Sequence, residues 1–292
     1  MRSEGLKSEA MTKALDAAIA GKPDALYGQL AVASGLPGTR ANLVVADAFA
    51  TECAARGASA DRLLFAMAGL SADEAPGASA REFLPMCGVL GLGSRAALDA
   101  SIRAKALAAI HDASEDLRYR VREAASRALA RVGAACGAAL ARDVASWMDG
   151  YFQAATVLTA LADPAWTNAI DDASEALDRL DEAFALARDA PRSAARWPGR
   201  KALVDALGAA PAALASRFGV AVFDRLVAWS KVEQPELREA IENNLKGTKL
   251  VGRYADEIAR VRAALTASTK APRDPTRLIQ GMRGRGKKRD RR

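Results

Sequence analysis

Apolar residues recur along this chain with a helical period, most clearly between residues 114 and 133. The apolar positions of this stretch fall on one helical face: Leu117, Val121, Ala124, Ala125, Ala128, Leu129 and Val132. Ser114 is a candidate N-cap, and Gly133 is a candidate residue to end the helix in a left-handed conformation. The pattern predicts one amphipathic helix whose apolar face must be covered by neighbouring helices.

Similar helical patterns lie on both sides, separated by short turns. The predicted helices cover residues 8–20, 23–33, 39–56, 59–70, 81–92, 94–110, 135–147 and 248–267. Within residues 94–110, four residues spaced four apart are expected to face inward: Leu98, Ile102, Ala106 and Ile110. Alternating runs rich in Val, Ile and Tyr are missing, which argues against a substantial sheet. These patterns predict an all-α protein.

An internal repeat accompanies the helices. The stretches that begin at Arg40, Arg81 and Arg122 are separated by steps of 41 residues, and a fourth copy begins at Arg238. In each copy small or apolar residues follow the arginine three and four positions later. An arginine that recurs at one position more often links neighbouring units than binds a ligand. Arg122 is therefore expected to link neighbouring repeats, through Asp116 or its counterparts, rather than to contact a ligand.

Two stretches resemble the second-helix signature of HEAT repeats. Residues 116–133, DLRYRVREAASRALARVG, carry an acidic turn residue, then Val-Arg, then Ala-Ala, then a later Leu; residues 234–247, QPELREAIENNLKG, place Pro235 in the turn. The resemblance extends loosely over about residues 30–265. It implies a right-handed α-solenoid of stacked antiparallel helix pairs. We therefore expect one helical-repeat domain over residues 5–269.

The net charge of +7 is concentrated at the C-terminus, since residues 270–292 contain ten basic and two acidic residues. Low apolar content and interleaved Gly and Arg predict a disordered tail that binds nucleic-acid phosphates without sequence preference. The candidate nucleic-acid-binding residues are Arg283, Arg285, Lys287, Lys288, Arg289, Arg291 and Arg292. A solubilising role, binding to an anionic membrane and docking within the protein remain alternatives.

An acidic segment, residues 167–188, departs from the repeat. Its inward seam is expected to contain Ile170, Ala173, Leu177, Leu180, Phe184 and Ala187, and its outer face Asp171, Asp172, Glu175, Asp178, Asp181 and Glu182. The acidic face is either a solvated helix surface, a partner-binding surface or a dock for the basic tail. The candidate partner surface consists of Asp171, Asp172, Glu175, Asp178 and Trp197.

Residue types that carry catalysis are scarce. The chain has a single histidine, His111, which argues against a His-based metal site and against a nucleophile–histidine pair. The glycines of residues 88–93 lack a preceding strand and a Gly-Lys-Ser/Thr sequence, so no cofactor is predicted. Cys53, Cys87 and Cys136 lie in apolar contexts and are predicted to be buried thiols. No apolar run is long enough to span a membrane, and the expected compartment is the cytoplasm.

A weaker resemblance concerns the HEAT-like DNA glycosylases of alkylation repair. Ser146-Trp147-Met148-Asp149 is similar to their Trp/Asp motif and implies a concave DNA cleft in which Trp147 and Asp149 act. The chain departs from that family at Tyr151-Phe152, where a further acidic residue is expected, and its body is not basic. Packing is the favoured role for the tryptophans; Trp197, in a turn, is the least core-like.

The leading hypothesis is a non-catalytic adaptor that binds a protein partner on its concave face and attaches to nucleic acid through its tail. The alternative is a DNA-binding or repair protein of the glycosylase type. A chaperone-like or lyase-type repeat protein is a third possibility, without specific residues to support it. A continuous basic groove with an exposed Trp and Asp would favour DNA, whereas a neutral or apolar groove would favour a protein partner.

Overall fold

The computed structural model describes residues 9–269, apart from the side chain of Lys249, and this part of the chain forms helices and no strand. The all-α prediction is therefore confirmed, while the predicted tail, residues 270–292, lies outside the described residues. The α-helices are α1 (Glu9–Ile19), α2 (Asp24–Ala33), α3 (Leu43–Ala55), α4 (Asp61–Ala68), α5 (Phe83–Leu98), α6 (Ala100–Ser114), α7 (Tyr119–Cys136), α8 (Ala138–Asp143), α9 (Tyr151–Leu161), α10 (Pro164–Thr167), α11 (Ser174–Asp189), α12 (Pro198–Leu207), α13 (Ala210–Phe218), α14 (Val220–Trp229), α15 (Pro235–Asn244), α16 (Thr248–Arg253) and α17 (Ala255–Ala267). Short 3₁₀ helices cover Gly57–Ala60, Ala80–Glu82, Ala145–Asp149 and Arg192–Arg196.

The helices pack in two successions. In the first, α3 contacts α5, α5 contacts α7, α7 contacts α9, α9 contacts α12 and α12 contacts α15. In the second, α8 contacts α11, α11 contacts α14 and α14 contacts α17. Buried apolar side chains form one continuous cluster from Met11 to Leu265. Each helix thus buries its apolar face against helices that are close to it in the sequence.

The helix predicted between Ser114 and Gly133 is displaced toward the C-terminus. Its counterpart α7 begins at Tyr119, and Ser114 instead ends α6, where its hydroxyl donates to the His111 carbonyl at 2.6 Å. Leu117, expected to face inward, lies in the turn between the two helices and is 91% exposed. Gly133 lies within α7, and the helix ends at Gly137, which has φ of +59°. The predicted N-cap and terminating glycine were therefore wrong.

The predicted break near Gly93 is also wrong, because α5 continues to Leu98 and the break occurs at Asp99. The Asp99 carboxylate accepts from the Ser101 backbone N–H at 2.9 Å and so caps α6. Gly93 serves close packing rather than a turn, since a Cβ atom there would lie 2.6 Å from the Cα atom of Ala128 in α7. Leu98, predicted to be buried, is 73% exposed.

The repeat alignment holds structurally for two of its four arginines. Arg122 and Arg238 are each the fourth residue of their helix, α7 and α15. Each donates to the backbone carbonyl six residues earlier, Arg122 to Asp116 and Arg238 to Val232. Arg40 and Arg81 instead precede α3 and α5. The expected contact of Arg122 with residue 116 is therefore present, through the carbonyl group rather than the carboxylate.

The cysteine prediction is confirmed for two residues of three. Cys53 and Cys87 are buried, Cys136 is partly exposed, and all three are free thiols. Burial raises the pKa of Cys53 to about 12, so its thiolate is not populated at neutral pH. Burial also raises the pKa of Cys87, so Cys53 and Cys87 pack in the core as unreactive thiols.

Candidate functional site

A groove crosses five helices of the first succession. It consists of two adjoining cavities, of about 730 and 510 Å³, which share the lining residues Arg127, Ala130 and Asp163. The first cavity lies across α7, α9 and α12, and the second across α3, α5 and α7. We call the two together the long groove. Its continuity follows from the packing, because consecutive helices of one succession present neighbouring surfaces.

The α3–α5 end of the long groove is mainly aliphatic. Its apolar lining residues are Ala54, Ala97, Leu98, Ala130, Ala134 and Ala165. The exposure of Leu98, unexpected from its helical position, is explained by this location on the groove surface. Three of the four charged side chains here form ion pairs: Arg131 with Asp47, and Arg127 with Glu123. Arg131 also donates to the Ser94 hydroxyl at 2.8 Å. This end offers apolar contact area.

The α9–α12 end is polar and contains aromatic rings. Hydroxyl groups of Ser126, Thr156 and Thr159 line it, together with the rings of Tyr119 and Phe152. Small and hydroxylated side chains leave room for an incoming chain. The hydroxyls of Ser126 and Thr159 already donate to backbone carbonyls of their own helices, so they offer acceptor oxygens to the N–H groups of that chain. This end is therefore suited to hydrogen bonding, in contrast to the aliphatic end.

Positive and negative side chains balance along the long groove. The described lining residues include four basic side chains, Arg122, Arg127, Arg131 and Lys201, and four acidic ones, Asp47, Glu123, Asp163 and Asp205. Most form pairs within the protein. A groove that holds a nucleic-acid duplex needs an excess of basic groups to bind the phosphates. In this groove the basic groups do not outnumber the acidic ones.

The acidic segment occupies α11 and the turn before it, on the second succession of helices. Most of its carboxylates form ion pairs with arginines of the same protein. Glu175 lies 2.8 Å from Arg142, and Glu182 lies 2.7 Å from Arg179. Arg225 lies 3.8 Å from Asp178 and 2.5 Å from Asp181. Asp181 also accepts from the Trp229 indole at 2.7 Å. Burial raises the pKa of Glu182 despite its arginine partner. Asp171 and Asp172 are exposed, and Asp172 accepts from the Ser174 backbone at 3.0 Å. Of the candidate partner surface, Glu175 and Asp178 thus contact arginines of the protein itself, whereas Asp171, Asp172 and Trp197 are exposed.

The tryptophans separate into packed and exposed residues. Trp166 is fully buried and donates to the Gly137 carbonyl at 2.9 Å, and Trp229 stacks on Phe184 at a ring separation of 5.1 Å. Trp197 is 51% exposed and immediately precedes Pro198, which lines the long groove. The prediction that Trp197 is the least core-like of the four is confirmed.

The two residues of the alternative catalytic hypothesis lie in the 3₁₀ helix Ala145–Asp149. Trp147 is 8% exposed, and its ring and the His111 ring form a T-shaped contact at a centroid distance of 4.9 Å. Asp149 is exposed at the end of this helix. Neither residue lines the long groove. The structure therefore does not bring this pair to the concavity that a duplex would need.

Arg118 anchors the groove and was not predicted. Its buried guanidinium donates to the backbone carbonyls of Leu70, Ser71 and Ala75, at 2.8–3.1 Å, and pairs with the Asp116 carboxylate at 2.6 Å. Burial disfavours ionisation of Asp116, but the hydrogen bonds from Arg118 and the charges of Arg118 and Arg122 outweigh it and lower the Asp116 pKa. Arg118 thus fixes the start of α7 against the segment that follows α4. Its carbonyl partners lie more than forty residues away in sequence, so no local pattern indicates it.

Comparison with known protein families, characterised proteins and solved structures finds no match for this chain. Within residues 9–269, no three His, Cys, Asp or Glu side chains cluster in a way that could hold a metal ion. None of the helices in this range is long and apolar enough to cross a membrane. The geometry of the long groove is therefore the main basis for assigning a function.

Proposed function

We propose that this protein is a non-catalytic, HEAT-like adaptor whose long groove binds a segment of a protein partner. In this proposal the helix pairs stack into a right-handed solenoid and the long groove is its concave face. The observation that carries the proposal is a continuous, charge-balanced groove across α3, α5, α7, α9 and α12, five helices of the first succession. The two successions of helix contacts and the equivalent positions of Arg122 and Arg238 support the repeat architecture.

The length of the groove favours an extended segment. Neighbouring packed helices lie about 8–10 Å apart, so the four gaps between five of them span about 32–40 Å. An extended chain rises about 3.3 Å per residue, so about ten to twelve residues would fill this length. The hydroxyl groups at the polar end are suited to peptide backbone groups, and the aliphatic end to apolar side chains. Two observations weigh against the glycosylase alternative: the groove lacks excess positive charge, and Trp147 is packed away from it.

The first test selects partners without assuming their identity. Random peptides of about twelve residues, displayed on phage, are selected against the full-length protein, and enriched peptides are measured by fluorescence anisotropy. Ala134→Arg places a long side chain on the exposed groove surface. We expect it to weaken binding at least about tenfold, equivalent to about 1.4 kcal/mol.

Ala135→Arg is the matched control for this substitution. Ala135 is the next residue of α7, is also exposed and does not line the groove, so the same change there should leave binding intact. Circular dichroism of both variants checks that α7 is unperturbed. The groove proposal is wrong if no peptide is enriched, or if the two arginines weaken binding equally.

The second part of the proposal is that residues 270–292 attach the protein electrostatically to nucleic acid. Binding to duplex DNA is measured by mobility shift for the native chain and for a full-length variant with glutamine at the seven basic positions between 283 and 292. The native chain should bind, and its affinity should fall at least about a hundredfold between about 50 and 200 mM salt. The variant should not bind. Equal binding by the two proteins would contradict the role of the tail and would favour a DNA-binding surface within residues 9–269.

A further inference from the structure

Two arginines at the same position of the repeated unit use their donors very differently. The Arg238 guanidinium donates to the carbonyls of Ser230 and Val232, to the hydroxyl of Ser268 at 2.9 Å, to the carbonyl of Leu265 and to the hydroxyl of Thr269 at 2.8 Å. These contacts join the ends of α14 and α17 to α15. At this position, therefore, an arginine can be used entirely for structure.

Arg122 has the same position in α7 but makes one hydrogen bond within the described part of the chain, to the Asp116 carbonyl. Its guanidinium lies over the Phe152 ring at 4.8 Å and near the Tyr119 ring at 6.0 Å. The side chain is half-buried and lines the polar end of the long groove. A guanidinium has five N–H donors, so Arg122 has donors left for a ligand in the groove.

The acidic side chains around Arg122 do not supply that ligand. Glu123 pairs with Arg120 at 2.8 Å and with Arg127 at 3.4 Å. Asp205 pairs with Lys201 at 3.3 Å, and Asp163 accepts from the backbone N–H of Ala165 at 2.8 Å. Asp116 lies close enough for the Arg122 charge to lower its pKa, but its carboxylate is bound by Arg118 at 2.6 Å. Among the basic residues that line this end, Arg122 is the one with no ion pair in the described part of the chain, so a carboxylate of the bound partner can occupy its remaining donors.

We propose that Arg122 determines specificity by binding the carboxylate of an Asp or Glu in the partner segment, an inference that rests on the proposed function of the long groove. The planar guanidinium matches a carboxylate in a two-bond geometry, and the aromatic rings beside it restrict its orientation. A single carboxylate suits this location better than a polyanion. Glu123, Asp163 and Asp205 lie along the same end of the groove and would repel a run of phosphates.

The test couples Arg122 to one group of the ligand. From the peptides selected on the native protein, one that carries an acidic residue is chosen, and that residue is replaced by its amide, Asp by Asn or Glu by Gln. Arg122→Gln and the amide peptide should each weaken binding about tenfold, as expected for a charge-assisted pair. The amide change should have little further effect on the Arg122→Gln protein. Arg122→Lys should retain part of the preference for the acidic peptide because it retains the charge.

Arg62→Gln is the control for the loss of one positive charge, since Arg62 is exposed and does not line the groove. Replacing the acidic residue of the peptide by its amide should weaken binding to this variant as much as binding to the native protein. Thermal unfolding checks that Arg122→Gln remains folded, and the Lys variant supplies the test if it does not. Two results would overturn the role of Arg122 and leave the groove proposal standing. The first is that the selected peptides share no acidic position. The second is that the amide change weakens binding to the Arg122→Gln protein by the same factor as binding to the native protein. Failure to select any peptide would overturn both proposals.

Discussion

Gly133→Ala should destabilise the protein by about 3 kcal/mol, at the upper end of the usual cost of overpacking a core. The added Cβ atom would lie 2.1 Å from Cδ2 of Trp166. The indole ring cannot easily move away, because it is fully buried and its N–H is bonded to the Gly137 carbonyl at 2.9 Å. Chemical denaturation followed by circular dichroism measures the free energy of unfolding.

Gly28→Ala is the matched control for this prediction. Gly28 is also within a helix, α2, but no atom lies within 4 Å of a Cβ placed there. Alanine is the better helix former, so this change should stabilise the protein by about 0.5–1 kcal/mol. Trp166→Leu should make room for the methyl group, so the double variant should lose less than the sum of the single losses. A Gly133→Ala protein as stable as the native one would contradict the close packing of α7 on α10.

Arg118→Ala should cost about 3–5 kcal/mol, the usual effect of removing one partner from a buried ion pair. The substitution leaves the Asp116 carboxylate without its principal partner and removes the donor for the carbonyls of Leu70, Ser71 and Ala75. Arg118→Lys should fall between the native protein and the alanine variant, because an ammonium group keeps the charge but cannot reach the same set of acceptors. Thermal and chemical unfolding provide the measurement.

Arg62→Ala supplies the comparison for Arg118, since Arg62 is exposed in α4 and its loss should leave stability unchanged within error. An Arg118→Ala variant as stable as Arg62→Ala would show that the anchor between α4 and α7 does not hold the fold. The anchor also matters for function. Arg118 fixes the turn from which Tyr119 and Arg122 enter the groove, so a folded Arg118 variant should bind groove peptides more weakly.

The helical class of this protein was predictable because apolar spacing is a local property. The spacing in residues 114–133 correctly indicated an amphipathic helix, and Val121, Ala125 and Leu129 are buried as expected. The ends were misplaced because glycine has two uses that a sequence pattern does not separate. Gly93 and Gly133 permit close contact between helices, whereas Gly137 provides the positive φ that ends α7.

The candidate site was predictable only in parts. The sequence distinguished Trp197 from the packed tryptophans and linked Arg122 to residue 116, and both expectations agree with the structure. It predicted an acidic outer face over residues 167–188, and Glu175, Asp181 and Glu182 of this face pair with arginines of the same protein. Asp171, Asp172 and Trp197 of the candidate partner surface are exposed, so that surface stays a prediction. The arginines that pair with Glu175 and Asp181 lie 33 and 44 residues away, so local composition could not show that these two charges were paired.

The sequence by itself determined that the chain forms amphipathic helices whose apolar faces are rich in alanine, and that its net positive charge lies at the C-terminus. Both follow from residue types and their spacing along the chain. Tertiary structure decided which glycines are packing contacts, which charges are neutralised and where a groove opens. Those features depend on side chains brought together from helices distant in sequence. Arg122 and Arg238 show this most directly, since two residues at equivalent helix positions differ in their free donors only because their neighbours differ.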